Sequence, residues 1–164
     1  VSLDLGFQQI FWKVKQKPGK PLFFAQYQRA DRTAQQSQKK IDASSELHNQ
    51  SIASQKCYLL ALPGNPAAVY MGIQLYVRQI LQCLQGQKTL LPWITAIISH
   101  DLKADSRERF LRMQLHVDDG VMKLQSLAKQ QSHMLSNLLH ANCIVRVPAG
   151  QPVHAGQILE TYLI

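Results

Sequence analysis

The stretch Tyr58-Leu59-Leu60-Ala61-Leu62-Pro63-Gly64-Asn65-Pro66 determines how the rest of the chain is interpreted. An apolar run of strand length leads into a turn made of Pro, Gly, Asn and Pro. Asn65 is a good helix N-cap, and Pro66 suits the first helical position. The apolar residues that follow recur at helical spacing: Val69, Ile73, Tyr76, Val77, Ile80 and Leu84. The stretch therefore predicts a strand, a tight loop and a helix.

The loop of this unit allows two interpretations. In an open α/β sheet, ligands bind at the carboxyl ends of strands, and the free N–H groups at a helix start favour an anion. A plain, well-capped strand-to-helix turn accounts for the same residues, because every α/β domain needs such turns. The local pattern alone favours the plain turn.

Composition excludes several classes of protein. The 164 residues, 46% of them hydrophobic, suffice for one medium domain or two small ones. No apolar stretch is long enough to cross a membrane, and no secretory signal is visible. The three cysteines match neither a zinc pattern nor a disulfide framework, and no histidines have ligand spacing. We therefore predict a cytoplasmic protein without a membrane partner.

A cluster of lysines accounts for part of the net charge of +8: Lys13, Lys15, Lys17 and Lys20 lie within eight residues. On a continuous strand that starts near Phe11, lysines two residues apart would share one face. The signatures of RNA-binding domains are missing, so we predict no nucleic-acid partner. A small polyanionic ligand and a solvated basic face explain the cluster equally well.

The chain is predicted to contain two regions and a polar insert. Residues 1–86 carry strands and the long helix, and within them residues 28–55 are too polar to form a core and predict a flexible loop. Residues 90–164 are mainly β, with clean alternation from Leu111 to Val117 and a hairpin turn at Asp118-Asp119-Gly120. They predict a small barrel or sandwich after a boundary at the linker that ends in Pro92.

Short motifs occur along nearly the whole chain outside the insert. They are Trp12-Lys13-Val14, Lys17-Pro18-Gly19-Lys20-Pro21, Leu62-Pro63-Gly64-Asn65-Pro66, Arg107, Phe110-Leu111-Arg112, Gln130, Ser132, Met134-Leu135, Leu138, Ala141-Asn142, Val147-Pro148-Ala149-Gly150 and Ala155-Gly156. In this order and at this spacing they resemble the molybdopterin molybdenumtransferase family, which includes MoeA and the E domain of gephyrin.

The resemblance implies a fold of class α/β. Residues 1–86 would be the last part of a three-layer molybdopterin-binding domain, similar to the molybdopterin adenylyltransferase fold. Residues 90–164 would be a small C-terminal β-barrel-like domain, like domain IV of MoeA. The family's Gly-rich, Asp-containing nucleotide and metal motif has no match here, so this chain alone is expected to be inactive.

The resemblance also implies an activity, the Mg²⁺-assisted insertion of molybdate into adenylylated molybdopterin with release of AMP. Lys13 and Lys17 would be catalytic, contacting molybdate or phosphate. The substrate-binding residues would be Lys20, Pro63, Gly64, Asn65, Pro66 and Ser132, and no metal ligand is matched. A full-length homodimer and a molybdopterin adenylyltransferase partner are further expectations.

The family's pattern is broken at four positions, where Ala25, Ala68, Gln131 and Cys143 replace a glycine or a hydroxyl residue. Lost glycines affect turns that need a positive φ. A second hypothesis is therefore a non-catalytic interaction or scaffold module, as in a degenerate paralogue.

Overall fold

The computed structural model describes residues 4–28, 56–87, 91–127 and 139–164. The predicted polar insert (apart from residue 28) and Ser132 lie outside these residues. The elements are, in chain order, β1 (Gln8–Trp12), β2 (Gln16–Lys17), β3 (Phe23–Gln28), β4 (Lys56–Ala61), α1 (Pro66–Gly72), a π-helical turn (Ile73–Val77), α2 (Arg78–Leu84), β5 (Ile94–Ile98), β6 (Glu108–Asp118), β7 (Val121–Ser126), β8 (Cys143–Val147) and β9 (Ile158–Leu163).

The chain divides into two compact units. The sheet unit contains residues 1–12 and 23–61, and the barrel unit contains residues 13–22 and 62–164. The helix, predicted to belong with the strands before it, is therefore grouped with the barrel. The units separate after residue 61, whereas the sequence placed a boundary in the linker that follows residue 86.

The sheet unit has three antiparallel strands in the order β1-β3-β4. Aromatic side chains cross it: the rings of Phe11 and Phe24 are 5.7 Å apart, and Phe24 stacks on Tyr58 at 6.0 Å. Such cross-strand pairs stabilise a sheet and fix its register. Strands outnumber helices among the elements of the described residues, and the three-layer α/β domain implied by the resemblance is not observed there.

The barrel unit is a closed ring of five strands. The order is β6-β7-β5-β9-β8, and pairing of β8 with β6 completes the ring. Every other residue of β6 points inward, so Leu111, Met113 and Leu115 join the apolar interior, as the alternation predicts. The hairpin turn at Asp118-Asp119-Gly120 is confirmed, with φ of 49° at Asp119 and 76° at Gly120.

The helix packs on the outer wall of this barrel. Met71 and Leu75 form one buried cluster with Phe110, Ile144 and Tyr162 from three barrel strands. Phe110 alternates with the inward-facing residues of its strand, so β6 buries both faces along its first half. This contact fixes the helix against the barrel.

Candidate functional site

Residues 13–22, hereafter the basic loop, carry the lysines that the sequence singled out. Lys13 has a φ of 70°, which ends β1 at Trp12 because an extended strand requires a negative φ. The Lys13 N–H donates to the carbonyl of Leu22 at 2.8 Å, and the Val14 N–H donates to that of Lys20 at 3.0 Å. The predicted continuous strand is therefore wrong, and strand alternation cannot place Lys13 and Lys17 on one face.

The base of the loop is held by a buried glutamine. Gln16 is only 5% exposed; its Nε2 donates to the Pro18 carbonyl at 3.1 Å, and its Oε1 accepts from the Tyr76 hydroxyl. β2 also pairs in parallel with the start of β6, with Lys17 opposite Arg109. Sequence analysis missed Gln16, because a glutamine within a run of lysines carries no signal of burial.

Lys17 forms an ion pair with Asp105, which precedes β6 in the same unit. Its Nζ lies 3.0 Å from Oδ2 of Asp105, and the Lys17 side chain is 54% exposed against 18% for Asp105. Oδ1 of Asp105 accepts from the Arg107 N–H at 3.1 Å. The hydrogen bond from Lys17, and next the one from Arg107, hold the pKa of Asp105 below its ordinary value.

The two arginines that the resemblance includes are placed differently from each other. Arg107 contacts Asp105 through its backbone N–H and not through a direct ion pair of the guanidinium. Arg112 is 4% exposed, and its burial lowers its pKa while the nearby Tyr70 opposes that shift. Arg112 is buried because the helix covers this face of β6.

The turn before the helix has the predicted cap. Oδ1 of Asn65 accepts from the N–H groups of Ala67 at 3.0 Å and Ala68 at 3.3 Å, and Pro66 begins the helix. Pro63 is buried, whereas Gly64 and Pro66 are exposed. Two of the N–H groups that could have met an anion are thus satisfied within the protein, as in a plain capped turn.

The basic loop touches the helix through Tyr76, well beyond the helix start. Ten residues separate Pro66 from Tyr76, which corresponds to roughly 15 Å along a helix. A shared anion site, with Lys13 and Lys17 facing the helix start at Pro66, stays a prediction. Lys20 is exposed, and its carbonyl accepts from both Val14 and Leu22. Ser132 lies outside the described residues.

Neither a metal centre nor a membrane span is found in the described part of the chain. Its histidine, cysteine and carboxylate side chains form no group of three that could hold a metal ion, so these residues do not fit a Mg²⁺ site. No helix among the described residues is long and apolar enough to cross a bilayer.

Comparisons with known proteins agree with this geometry. Residues 95–164 match the model of a family described as MoeA C-terminal region (domain IV). This part of the chain is therefore similar to that family. The match begins one residue into β5 and includes every strand of the closed barrel.

Curated relatives extend the similarity beyond the barrel. The chain is 31% identical over 109 residues to the molybdopterin molybdenumtransferase of Staphylococcus epidermidis, covering 65% of this chain and 26% of the relative. It is 28% identical over 139 residues to that of Haemophilus influenzae, covering 82% of this chain and 28% of the relative. The predicted resemblance is confirmed, and the chain spans about a quarter of the length of these relatives.

Solved structures show the same fold. The molybdopterin biosynthesis moeA protein of Pyrococcus horikoshii aligns with a TM-score of 0.61 and 18% identity, covering 96% of this chain and 33% of that one. A molybdenum cofactor biosynthesis protein of Pyrococcus furiosus gives a TM-score of 0.61 and 20% identity, with 96% and 46% covered.

Proposed function

We propose that this chain acts in molybdenum cofactor biosynthesis, as the part of a molybdopterin molybdenumtransferase that supplies the basic loop and the C-terminal barrel. The names of the curated relatives and the match of residues 95–164 support the role. The single observation that carries the proposal for this site is the anchored basic loop, which holds the backbone of Lys17 in place while more than half of its side chain is exposed.

The proposed reaction inserts molybdate into adenylylated molybdopterin and releases AMP. Both reactants are anions, so the protein must supply fixed positive charge and needs no nucleophile of its own. Lys13 and Lys17 bind the molybdate or phosphate oxygens, and Lys20 adds to the local field. The loop from Pro63 to Pro66 and Ser132 contact the pterin substrate.

Magnesium would compensate phosphate charge in such a reaction. The described residues provide no ligand group for it, and we assign it no step. The adenylylated substrate requires a molybdopterin adenylyltransferase upstream, which we propose as a partner. A cytoplasmic location and a homodimer of the full-length enzyme complete the proposal, in which the 164-residue chain alone forms no cofactor.

A non-catalytic scaffold module is the second candidate. The ion pair of Lys17 with Asp105 and the capped amides after Asn65 favour it, because both satisfy groups within the protein that a catalytic site would direct at its substrate. The two candidates differ in whether Lys17 binds an oxyanion.

Titration of the 164-residue chain with sodium molybdate at low ionic strength tests the proposal. One unit charge a few ångströms from the anion contributes about 1 kcal/mol in water, so Lys17→Ala should weaken binding roughly fivefold. Lys123→Ala is the matched control, because Lys123 also pairs with a surface acid, Asp118, at 2.6 Å. Equal affinities of the two variants would contradict the catalytic proposal and favour the scaffold.

A further inference from the structure

The Lys17–Asp105 ion pair joins two groups whose positions are set independently of each other. Lys17 is fixed through β2, which pairs with β6, and through the neighbouring Gln16. Asp105 is fixed through its Oδ1, which accepts from Arg107, and through its carbonyl, which accepts from the Gly150 N–H at 2.8 Å. Neither backbone needs the ion pair in order to keep its place.

The pair is also open to solvent on the lysine side. More than half of the Lys17 side chain is exposed, whereas Asp105 lies against the protein. This pair contributes little to stability, because water solvates the exposed ammonium when the pair separates and Asp105 keeps its hydrogen bond from the Arg107 N–H. Breaking this pair therefore costs little, and a competing anion can approach the ammonium from the solvent.

An oxyanion and the Asp105 carboxylate compete for the same donor. An oxygen of a tetrahedral dianion would bind the Lys17 ammonium at the 2.7–2.9 Å typical of charge-assisted hydrogen bonds, close to the 3.0 Å at which Oδ2 now lies. Both groups are negative, so they repel each other when they share one ammonium. The other charged group beside Asp105 is Arg107, which acts on the carboxylate at longer range.

We infer that Asp105 is a displaceable counter-ion that sets the oxyanion affinity of the basic loop, the anion binding Lys17 by replacing the Asp105 carboxylate. This inference rests on the proposed function, since it requires Lys17 to bind the oxyanion. In the absence of an anion, Asp105 holds the Lys17 ammonium close to the barrel and neutralises its charge. A ligand must bring enough charge to outcompete one carboxylate, so a dianion such as molybdate is favoured over a monoanion.

The test compares two variants that each remove one carboxylate from a lysine pair. Asp105→Asn keeps an oxygen for the Arg107 N–H but removes the competing charge, and Asp118→Asn does the same for the Lys123 pair of the barrel surface. Sodium molybdate is titrated into the 164-residue chain at low ionic strength, and binding is followed by calorimetry and by the ¹⁵Nζ resonance of Lys17. Asp105→Asn should bind molybdate roughly three to ten times more tightly than the unmodified chain, as expected for one like charge removed at a few ångströms. Asp118→Asn should bind as the unmodified chain does.

A measurement on the unmodified chain avoids any effect of substitution on folding. The ¹³C resonance of the Asp105 carboxyl should move on saturation with molybdate, because the carboxylate loses its ammonium partner. If Lys17 Nζ responds to molybdate but Asp105 does not, and both variants bind equally, the counter-ion inference is wrong and the proposed function stands. If Lys17 Nζ responds in neither the unmodified chain nor Asp105→Asn, the proposed function itself is overturned.

Discussion

Gly72 of the helix packs against Leu62, the residue that precedes the turn leading into that helix. Its φ of −60° is ordinary for a helix, so glycine is not required by the backbone there. A Cβ at this position would lie 2.7 Å from Cδ2 of Leu62, well inside van der Waals contact. The Gly72→Ala change sets two effects against each other, since alanine favours the helix by about 1 kcal/mol and overpacking costs about 1–3 kcal/mol. We expect a net loss of roughly 0–2 kcal/mol in the free energy of unfolding.

The sign of the effect should reverse when Leu62 is shortened. In a Leu62→Ala background the contact is gone, so Gly72→Ala should stabilise the protein by about 1 kcal/mol through helix propensity alone. The four proteins of this double-mutant cycle are compared by urea denaturation, with an expected coupling of about 1–3 kcal/mol. Gly64→Ala is the control, because its Cβ would meet no atom within 4 Å. Purely additive effects of the two substitutions would refute the reasoning.

Three further predictions concern the barrel unit. Tyr76→Phe should cost about 1–3 kcal/mol in urea denaturation, because it leaves the buried Oε1 of Gln16 without its donor; a cost below about 0.5 kcal/mol would contradict this. Because the pKa of Asp105 is lowered in the folded state, its contribution to stability is present above the unfolded pKa and is lost as pH falls through the folded value. The stability difference between the unmodified chain and Asp105→Asn should therefore shrink below about pH 4, where the unfolded carboxyl begins to protonate, and a difference that grows in acid would be inconsistent with it. Burial raises the pKa of the Cys143 thiol to about 11, so a thiol reagent at pH 8 should modify the two exposed cysteines and spare Cys143 until the protein unfolds; three thiols reacting at one rate would count against this.

Local features of the fold could be predicted from the sequence. The alternation from Leu111 to Val117 lies within β6, and the Asn65 cap and the Asp118-Asp119-Gly120 turn are confirmed. Each depends on residues within a few positions of one another, where alternation and turn chemistry act directly. Alternation does not distinguish a barrel from a sandwich, because closure of the barrel requires the long-range pairing of β6 with β8.

Less of the candidate site than of the local fold could be predicted from the sequence. The sequence shows the lysines as a cluster. It does not predict the positive φ at Lys13, because residues other than glycine and asparagine rarely adopt one. The partner of Lys17 lies 88 residues further along the chain, and nothing in the sequence distinguishes Asp105 from other surface acids. Burial of Arg112 depends on where the helix packs, which is a property of the tertiary fold.

The division of the chain into interleaved units has a consequence for synthesis on the ribosome. The basic loop is made before Asp105 and β6, which hold it and follow about 88 to 92 residues later along the chain. At about 5–20 residues per second this delay amounts to roughly 4–18 s. During that interval β3 and β4 can already pair, while the loop between β1 and β3 waits without partners. Proteases should therefore cut residues 13–22 faster in a nascent chain stalled before residue 105 than in the finished protein, where β2 is paired and Gln16 is buried.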